Sequence, residues 1–345
     1  METILAQTVK DWELIICDSY SDDGSWEFFQ KFKSDPRIRM YQVPREGIYA
    51  GWNECLRRAT GEYIYIATSD DTMRPDCLER LVVPLARHPE VDIARCRCEI
   101  IDSAGKPVVG YARPWDVFFG EWCEHPLICN GKTEFLLNAA FASTIWLSMT
   151  TILFRRRLLE RTGLFRTDQG LVADNEWTLR ACLASDIAFV PEKLATWRIH
   201  SNQASNQANP RQMAQFILEA MEHVLDDPQV EIPPTWRTIR GWRTQLLYSL
   251  RWEYLDAFNL YRSEARRSPT QFLRNAWAAL CTEPRWLLSQ SLRGFSRPRE
   301  CHVDHCGIVH ELIRLFQAPW PPQKIGRDWE VQSSDYPPNN PLSGW

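Results

Sequence analysis

Short apolar runs alternate with polar turns in the first part of the chain, which is the pattern of an α/β sheet. The run 14–17 predicts a buried strand that ends at Asp18. A β-branched and aromatic run, 63–67, predicts a second strand that stops near Asp70 and Asp71. Ligands of open α/β sheets bind beyond the carboxyl ends of the strands, so these carboxylates mark a candidate site.

A helix is predicted between these two strands. Segment 46–56 begins as a turn, and the apolar positions Leu56 and Ala59 then fit the helical period until Gly61 interrupts it. A strand, a helix and a second strand in this order predict a right-handed parallel crossover.

The paired aspartates at the end of the second strand have two interpretations. Carboxylates are hard oxygen ligands that suit a divalent cation, and such a cation can in turn hold a diphosphate. In the simpler interpretation, Asp70 and Asp71 only open a polar turn before Pro75.

Another acidic candidate lies further along the chain, at the start of a predicted amphipathic helix. Asp174 precedes the apolar residues Trp177 and Leu179, so it falls in the first helical turn. A carboxylate there can accept a proton from an attacking hydroxyl, or it can simply favour the helix terminus electrostatically. Glu176, two positions later, points elsewhere on the helix and is the weaker candidate base.

Positively charged candidates follow a predicted strand at 187–190. Arg198 and His200 are placed on the loop after it, where an arginine fork suits phosphate oxygens. His200 taken alone is also typical of a structural hydrogen-bonding residue.

Composition narrows the class of protein. The chain has 345 residues and a net charge of −4, which predicts one α/β domain with a smaller appendage and gives no basic excess for nucleic acid. Its eleven cysteines show no regular framework and favour reduced thiols in the cytoplasm. The uncharged segment 138–154 is short for a membrane span and is predicted to be a buried strand with its lead-in.

The C-terminal part is predicted to be helical. Apolar residues recur at spacings of three and four between Ile239 and Tyr261. This arginine- and tryptophan-rich region is either a bundle packed on the first domain or a face for an anionic membrane surface. We therefore expect a first domain at 1–205, a helical region at 206–318, and an extended or disordered tail at 319–345.

The motifs of the first domain resemble those of the family 2 glycosyltransferases. That family combines a Gln-Thr stretch, an apolar strand, an Asp-Asp-Gly-Ser turn, a Gly-Glu-Tyr-Ile strand and a terminal Asp-x-Asp, and segment 7–71 is similar to this order. The likeness continues through 163–165, 173–180 and 197–200, so it covers residues 1–205.

The resemblance implies a GT-A (Rossmann-like) fold, with a mixed, mainly parallel sheet flanked by helices and a C-terminal helical appendage. It also implies an inverting, non-processive transfer of a sugar from a nucleotide-diphosphate donor to a hydroxyl acceptor, in glycan or cell-envelope polysaccharide synthesis. The cofactor it implies is Mn²⁺ or Mg²⁺. The acceptor would be a glycan or a lipid-linked glycan, met in the cytoplasm or at the inner face of the membrane.

The resemblance also assigns roles to individual residues. Asp174 corresponds to the catalytic base, and Asp70 corresponds to the metal ligand. The positions that it places against the donor are Asp18, Asn53, Asp71, Arg198 and His200.

Three departures from the family pattern bear on the donor site. Thr68 occupies the first position of the Asp-x-Asp, and Ser19 and Tyr20 replace part of the earlier turn. Segment 1–7 looks like the end of the family's first helix, so the strand that normally precedes it is missing. Either the true start lies upstream, or the donor site is damaged.

Two other classes of protein therefore stay open. One is a catalytically silent module that binds sugar nucleotides or glycans. The other is a sugar nucleotidyltransferase, although the glycine-rich phosphate loop usual at the first strand of such enzymes is not visible here.

Overall fold

The computed structural model describes residues 1–108, 118–141, 146, 148–200, 203, 210–228, 310, 312–314 and 316–325. Eight strands lie in this part of the chain, and they are β1 (Leu14–Asp18), β2 (Ile38–Gln42), β3 (Tyr63–Tyr65), β4 (Ile93–Ile101), β5 (Leu127–Cys129), β6 (Ile152–Arg155), β7 (Ile187–Arg198) and β8 (Gln323–Lys324). The helices are α1 (Glu2–Leu5), α2 (Ser25–Gln30), α3 (Ile48–Arg58), α4 (Cys77–Arg87), α5 (Gly131–Phe141), α6 (Leu159–Thr162), α7 (Ala173–Ala184) and α8 (Pro210–Asp226).

The strands form two sheets. β1 and β2 pair in parallel by themselves, and the other six strands follow the order β3-β6-β4-β7-β5-β8. The central β4–β7 ladder is parallel and is the longest in the sheet, whereas the pairings around it are antiparallel. This mixed sheet with its flanking helices confirms the predicted α/β class.

Helix α3 forms where the sequence predicts a helix, but the predicted parallel crossover from β1 to β3 is not found among the described strands. β1 pairs in parallel with β2, which lies between β1 and α3 in the chain, and β3 belongs to the other sheet, where it pairs antiparallel with β6. Helix α3 follows Gly47, whose φ of 100° is a conformation that favours glycine, and it ends where Ala59 becomes extended. Tyr49, Asn53 and Leu56 lie three or four residues apart and are the buried side chains of the helix. Leu56 packs in the same apolar cluster as Ile64 of β3, so the buried side of the helix faces the larger sheet.

Strand β7 extends further than the sequence indicated. The predicted strand 187–190 continues to Arg198, because β7 stays paired with β4 through a register shift between Cys96 and Cys98. Arg198 is therefore the last residue of a strand rather than part of a loop. His200 follows it by two positions.

The segment 138–154 divides between two elements. Its first residues belong to α5, and its last residues begin β6, whose four residues are all buried. None of the helices that the structure describes has the length and apolar character needed to cross a membrane.

The C-terminal region is described only in part. Helix α8 lies in the predicted helical region, and β8, within the predicted tail, pairs with β5 at the edge of the sheet. The apolar stripe between Ile239 and Tyr261 falls outside the described residues. The domain boundaries therefore stay a prediction.

Candidate active site

The chain segments that follow β3 and β7 come together at one place. His200 Nε2 lies 3.2 Å from Asp70 Oδ2, and both side chains are partly exposed, at 28% and 37%. Asp70 lies five residues after the end of β3, and His200 lies two residues after the end of the extended β7. The structure thus brings together an imidazole and a carboxylate that the sequence separates by 130 positions.

Asp71, beside this pair, is held by hydrogen bonds on both oxygens. Its Oδ2 accepts from Thr68 Oγ1 (2.6 Å), Ser148 Oγ (3.2 Å) and Thr150 Oγ1 (3.2 Å), and its Oδ1 accepts from the Arg198 backbone N–H (2.8 Å). Burial raises the pKa of Asp71, and the hydrogen bonds oppose that rise. This carboxylate fastens three chain segments together, so its placement gives no support to the predicted donor contact.

Arg198 is also engaged by the protein. Its Nε donates to the Asp70 carbonyl at 2.8 Å, and its Nη1 donates to the Asp102 carbonyl at 3.0 Å. The guanidinium thus fixes the backbone around Asp70. The predicted contact of Arg198 with a diphosphate would use the guanidinium N–H groups that these two bonds do not occupy.

Asp18 lies where the sequence predicted, at the carboxyl end of β1. It is buried, and its Oδ2 accepts a 3.1 Å hydrogen bond from the Ser21 backbone N–H in the following turn. The same turn carries Tyr20, which has a positive φ of 54° and a side chain that is 61% exposed. Asp18 therefore fixes the turn that departs from the family pattern.

Asn53 is committed to the fold. Its side-chain nitrogen donates to the Phe165 carbonyl at 2.8 Å, and its side-chain oxygen accepts from the Phe165 N–H at 3.0 Å. With 4% exposure, this amide ties α3 to the loop ahead of α7. The placement gives the predicted donor contact no support.

The variant Asn53→Ala should lose stability rather than donor affinity. It leaves the buried backbone groups of Phe165 without their partner, which costs about 1–3 kcal/mol for an unsatisfied polar group. Urea unfolding measures this loss. An unchanged unfolding midpoint together with weaker nucleotide-sugar binding would restore Asn53 as a donor ligand.

Asp174 lies in the first turn of α7, as predicted, and one of its oxygens is fixed. Oδ1 accepts from the Tyr49 hydroxyl at 3.0 Å and from the Asn175 backbone N–H at 2.9 Å. Burial raises the pKa of Asp174, and these hydrogen bonds counteract part of the rise. Both bonds from Tyr49 and Asn175 go to Oδ1, which leaves Oδ2 as the candidate oxygen for taking a proton.

Glu176, the competing acid, is occupied. It is buried and forms a two-point ion pair with Arg180 one helical turn later, at 2.8 and 2.6 Å. Arg180 also donates to the Leu164 carbonyl, which joins α7 to the loop before it. Glu176 therefore holds α7 in place and has no oxygen left for proton transfer.

A divalent cation has two candidate side-chain ligands here. Among the described residues, no group of three or more His, Cys, Asp or Glu side chains is placed to hold a metal ion. Asp70 and His200 are adjacent and partly exposed, whereas Asp71 is saturated and Thr68 offers no charge. Two protein ligands fit a cation that takes its remaining ligands from substrate phosphates and water.

Residues 1–161 match the family model described as glycosyl transferase family 2. This part of the chain is a family 2 domain. The match confirms the resemblance that the motifs carried. The matched range includes Asp18 and Asp70, whereas Asp174 and His200 lie beyond its last residue, 161.

Curated relatives match parts of the chain. The EpsE protein of Bacillus subtilis (strain 168) is 33% identical over 108 residues, which are 30% of this chain and 39% of that protein. The chondroitin synthase of Escherichia coli is 27% identical over 140 residues, which cover 40% of this chain and 20% of the synthase. The chain therefore spans less than half the length of these curated relatives.

Solved structures share the fold. TarS 1–349 of S. aureus in complex with UDP-GlcNAc superposes with a TM-score of 0.56 at 15% identity, covering 85% of this chain and 86% of that one. The mannosyltransferase PcManGT from Pyrobaculum calidifontis, in complex with GDP-Man and Mn²⁺, gives 0.51 at 18% identity, covering 92% and 82%. Both are GT-A proteins, so the family 2 domain carries the predicted GT-A fold.

Sequence reasoning missed several residues that shape this site. The sequence alone assigned no role to Tyr49 within the predicted helix, and none to Ser148 and Thr150 within the uncharged segment 138–154. The signal for the last two was present, because hydroxyls in an otherwise buried run need partners, and an acidic side chain is the natural one.

Proposed function

We propose that the protein is an inverting, non-processive glycosyltransferase that uses a nucleotide-diphosphate sugar. The observation that carries this proposal is the carboxyl group of Asp174, whose Oδ1 is held by Tyr49 and by the Asn175 backbone N–H, which leaves Oδ2 as the candidate oxygen for taking a proton. The family 2 match and the GT-A fold supply the setting in which such a carboxylate deprotonates an alcohol.

The proposed reaction is a single displacement. The acceptor hydroxyl oxygen attacks the anomeric carbon of the donor sugar, the bond from that carbon to the diphosphate oxygen breaks, and the hydroxyl proton passes to Asp174 Oδ2. The nucleoside diphosphate leaves with the electron pair of the broken bond. No second carboxylate stands out as a nucleophile among the described residues of the site, which supports inversion at the sugar carbon.

The leaving diphosphate requires positive charge. A divalent cation, when bound, would offset the charge that develops on the diphosphate, and Asp70 and His200 would be its protein ligands. Arg198 and the tight bonding of Asp71 keep these two residues in place. With Thr68 in the first position of the Asp-x-Asp, the site carries less negative charge than the full motif would.

The substrate class follows from the neighbours and relatives. One fold neighbour is described with UDP-GlcNAc and another with GDP-Man and Mn²⁺. The relatives include a chondroitin synthase and a hyaluronan synthase of Pasteurella multocida. We therefore propose polysaccharide synthesis, with a glycan or lipid-linked acceptor in the cytoplasm. Contact with the inner face of the membrane rests on residues outside the described part of the chain.

Calorimetry with UDP-GlcNAc and GDP-Man, each with and without Mn²⁺, tests the donor site, and mass spectrometry of glycan products tests turnover. Transfer of a sugar to an acceptor supports the proposal. Binding without turnover would favour the silent binding module. Formation of a sugar nucleotide and pyrophosphate from a nucleoside triphosphate and a sugar phosphate would favour the nucleotidyltransferase.

The variant Asp70→Asn should weaken donor binding selectively in the presence of Mn²⁺. It removes the formal charge of one of the two proposed protein ligands of the cation. Changing an outer-shell partner of a metal site already lowers metal affinity by roughly 10–100-fold, so we expect the donor affinity with Mn²⁺ present to fall by at least that factor. Calorimetric titration of the donor with and without Mn²⁺ measures the difference. Equal affinities for the parent and the variant with Mn²⁺ present would exclude Asp70 as a ligand.

A further inference from the structure

Tyr49 contacts the proposed base from a different element. It lies on the buried side of α3 with 7% exposure, and its hydroxyl is 3.0 Å from both Asp174 Oδ1 and the Leu171 carbonyl. Both partners are acceptors, so the single hydroxyl proton is donated toward the carboxylate and the carbonyl together. The sequence separates Tyr49 and Asp174 by 125 positions.

The ring of Tyr49 is fixed by its neighbours. It stacks on Phe165 at 6.0 Å and meets Trp52 edge-on at 5.2 Å between ring centroids. Asn53, one turn further along α3, bonds the backbone of the same Phe165. The hydroxyl oxygen is therefore held within hydrogen-bonding distance of Asp174.

Tyr49 stays a donor at any pH used for an assay. Burial raises the pKa of its hydroxyl well above the usual range, and the negative charge of Asp174 raises it further. The hydroxyl thus keeps its proton and interacts most strongly with Asp174 when that carboxyl group is ionised.

We propose that Tyr49 is a positioning residue for catalysis, which holds Oδ1 of Asp174 and thereby leaves Oδ2 as the oxygen that receives the acceptor proton. This inference rests on the proposed function. It extends that function by assigning to α3, which the sequence linked only to the donor, a second role at the base.

The charged groups on the elements that pack around α7 do not provide an alternative partner. The described ones are Glu176 with Arg180 on α7 itself, Glu160 and Arg161 on α6, Arg166 with Asp168 in the preceding loop, Lys132 and Glu134 on α5, Arg95 of β4 paired with Glu134, and Glu219, Glu222, His223 and Asp226 on α8. The pKa of Asp174 responds to burial first, and then to Tyr49 and to backbone N–H groups.

The pH dependence gives a readout that a purely structural tyrosine would not change. A base works only when ionised, so kcat/KM falls as the pH drops through the pKa of Asp174. The Tyr49 hydrogen bond favours the ionised form and therefore lowers that pKa. Removing the hydroxyl must move the acidic limb to higher pH.

The test compares Tyr49→Phe with the full-length parent chain at fixed Mn²⁺. In the pH profile of kcat/KM, we expect the fall on the acidic side to move to higher pH by about one unit. The loss of a hydrogen bond to a charged group changes the pKa of that group by an amount of this order. The matched control is Tyr63→Phe, because Tyr63 packs against Arg155 at the start of β3, away from Asp174. An unmoved limb in Tyr49→Phe would overturn the inference.

A second variant covers the case in which Tyr49→Phe does not fold. Placing 3-fluorotyrosine at position 49 keeps the shape and makes the hydroxyl a stronger donor, so the limb should move to lower pH. A limb that stays in place, or moves up, would overturn the inference. Full activity in Asp174→Asn would instead show that Asp174 is not the general base, and the proposed mechanism would then be wrong.

Discussion

The variant Asp174→Asn should lose between about 10² and 10⁴ of kcat, because that is the usual contribution of a positioned general base. Asparagine retains the shape and accepts the Tyr49 hydrogen bond through its amide oxygen, but it takes no proton from an alcohol. Donor affinity should stay close to that of the parent, since Asp174 contacts Tyr49 and its own helix turn. Steady-state kinetics together with donor calorimetry separate these two quantities.

Glu176→Gln is the matched control for that experiment. It makes the same acid-to-amide change two residues away, but it disrupts the buried pair with Arg180. It should therefore lower stability while the folded fraction retains its turnover. If Glu176→Gln lost turnover while fully folded and Asp174→Asn did not, the two acids would have to exchange roles.

The variant Glu134→Gln should cost about 3–5 kcal/mol of stability, the range for removing one partner of a buried ion pair. Glu134 of α5 is fully buried and accepts from Arg95 of β4 at 2.9 Å. Its other oxygen accepts from the Trp146 ring nitrogen at 3.0 Å. Without the carboxylate charge, Arg95 remains ionised and unpaired against the rings of Phe119 and Phe189. Urea unfolding measures the loss.

The double variant Arg95→Met/Glu134→Gln tests this explanation. It removes both charges and keeps an amide oxygen for the Trp146 ring nitrogen, so most of the lost stability should return. A double variant as unstable as Glu134→Gln would show that the charge left on Arg95 is not the cause.

The parts of the fold that the sequence predicted are those governed by local pattern. The strand end at Asp18, the strand that begins at Tyr63, the helix that carries Leu56, and the helix with Asp174 in its first turn all follow from apolar periodicity and from chain breaks. These signals are contained within a few consecutive residues. The second strand ends at Tyr65, earlier than the sequence indicated. The family motifs then gave the GT-A fold, which the structural neighbours confirm.

The parts that were missed depend on partners distant in sequence. Arg95 occupies a strand position next to Cys96, where a charged residue is normally taken to face solvent, and its burial is explained only by Glu134. The diphosphate contact of Arg198 stays a prediction, but the sequence did not indicate that its side chain also bonds backbone carbonyls on two other segments. No local pattern indicates where such a side chain finds its acceptors.

Arg198 holds the candidate cation site through both its backbone and its side chain, and this affects how a cation would bind. Its N–H holds Asp71, its side chain holds the carbonyl of Asp70, and His200 lies two residues further along the same backbone. The imidazole and the carboxylate of the candidate cation site are thus already adjacent before any substrate arrives. Capturing a cation between them should carry a small entropic penalty, because this corner of the protein has little conformational freedom left to lose.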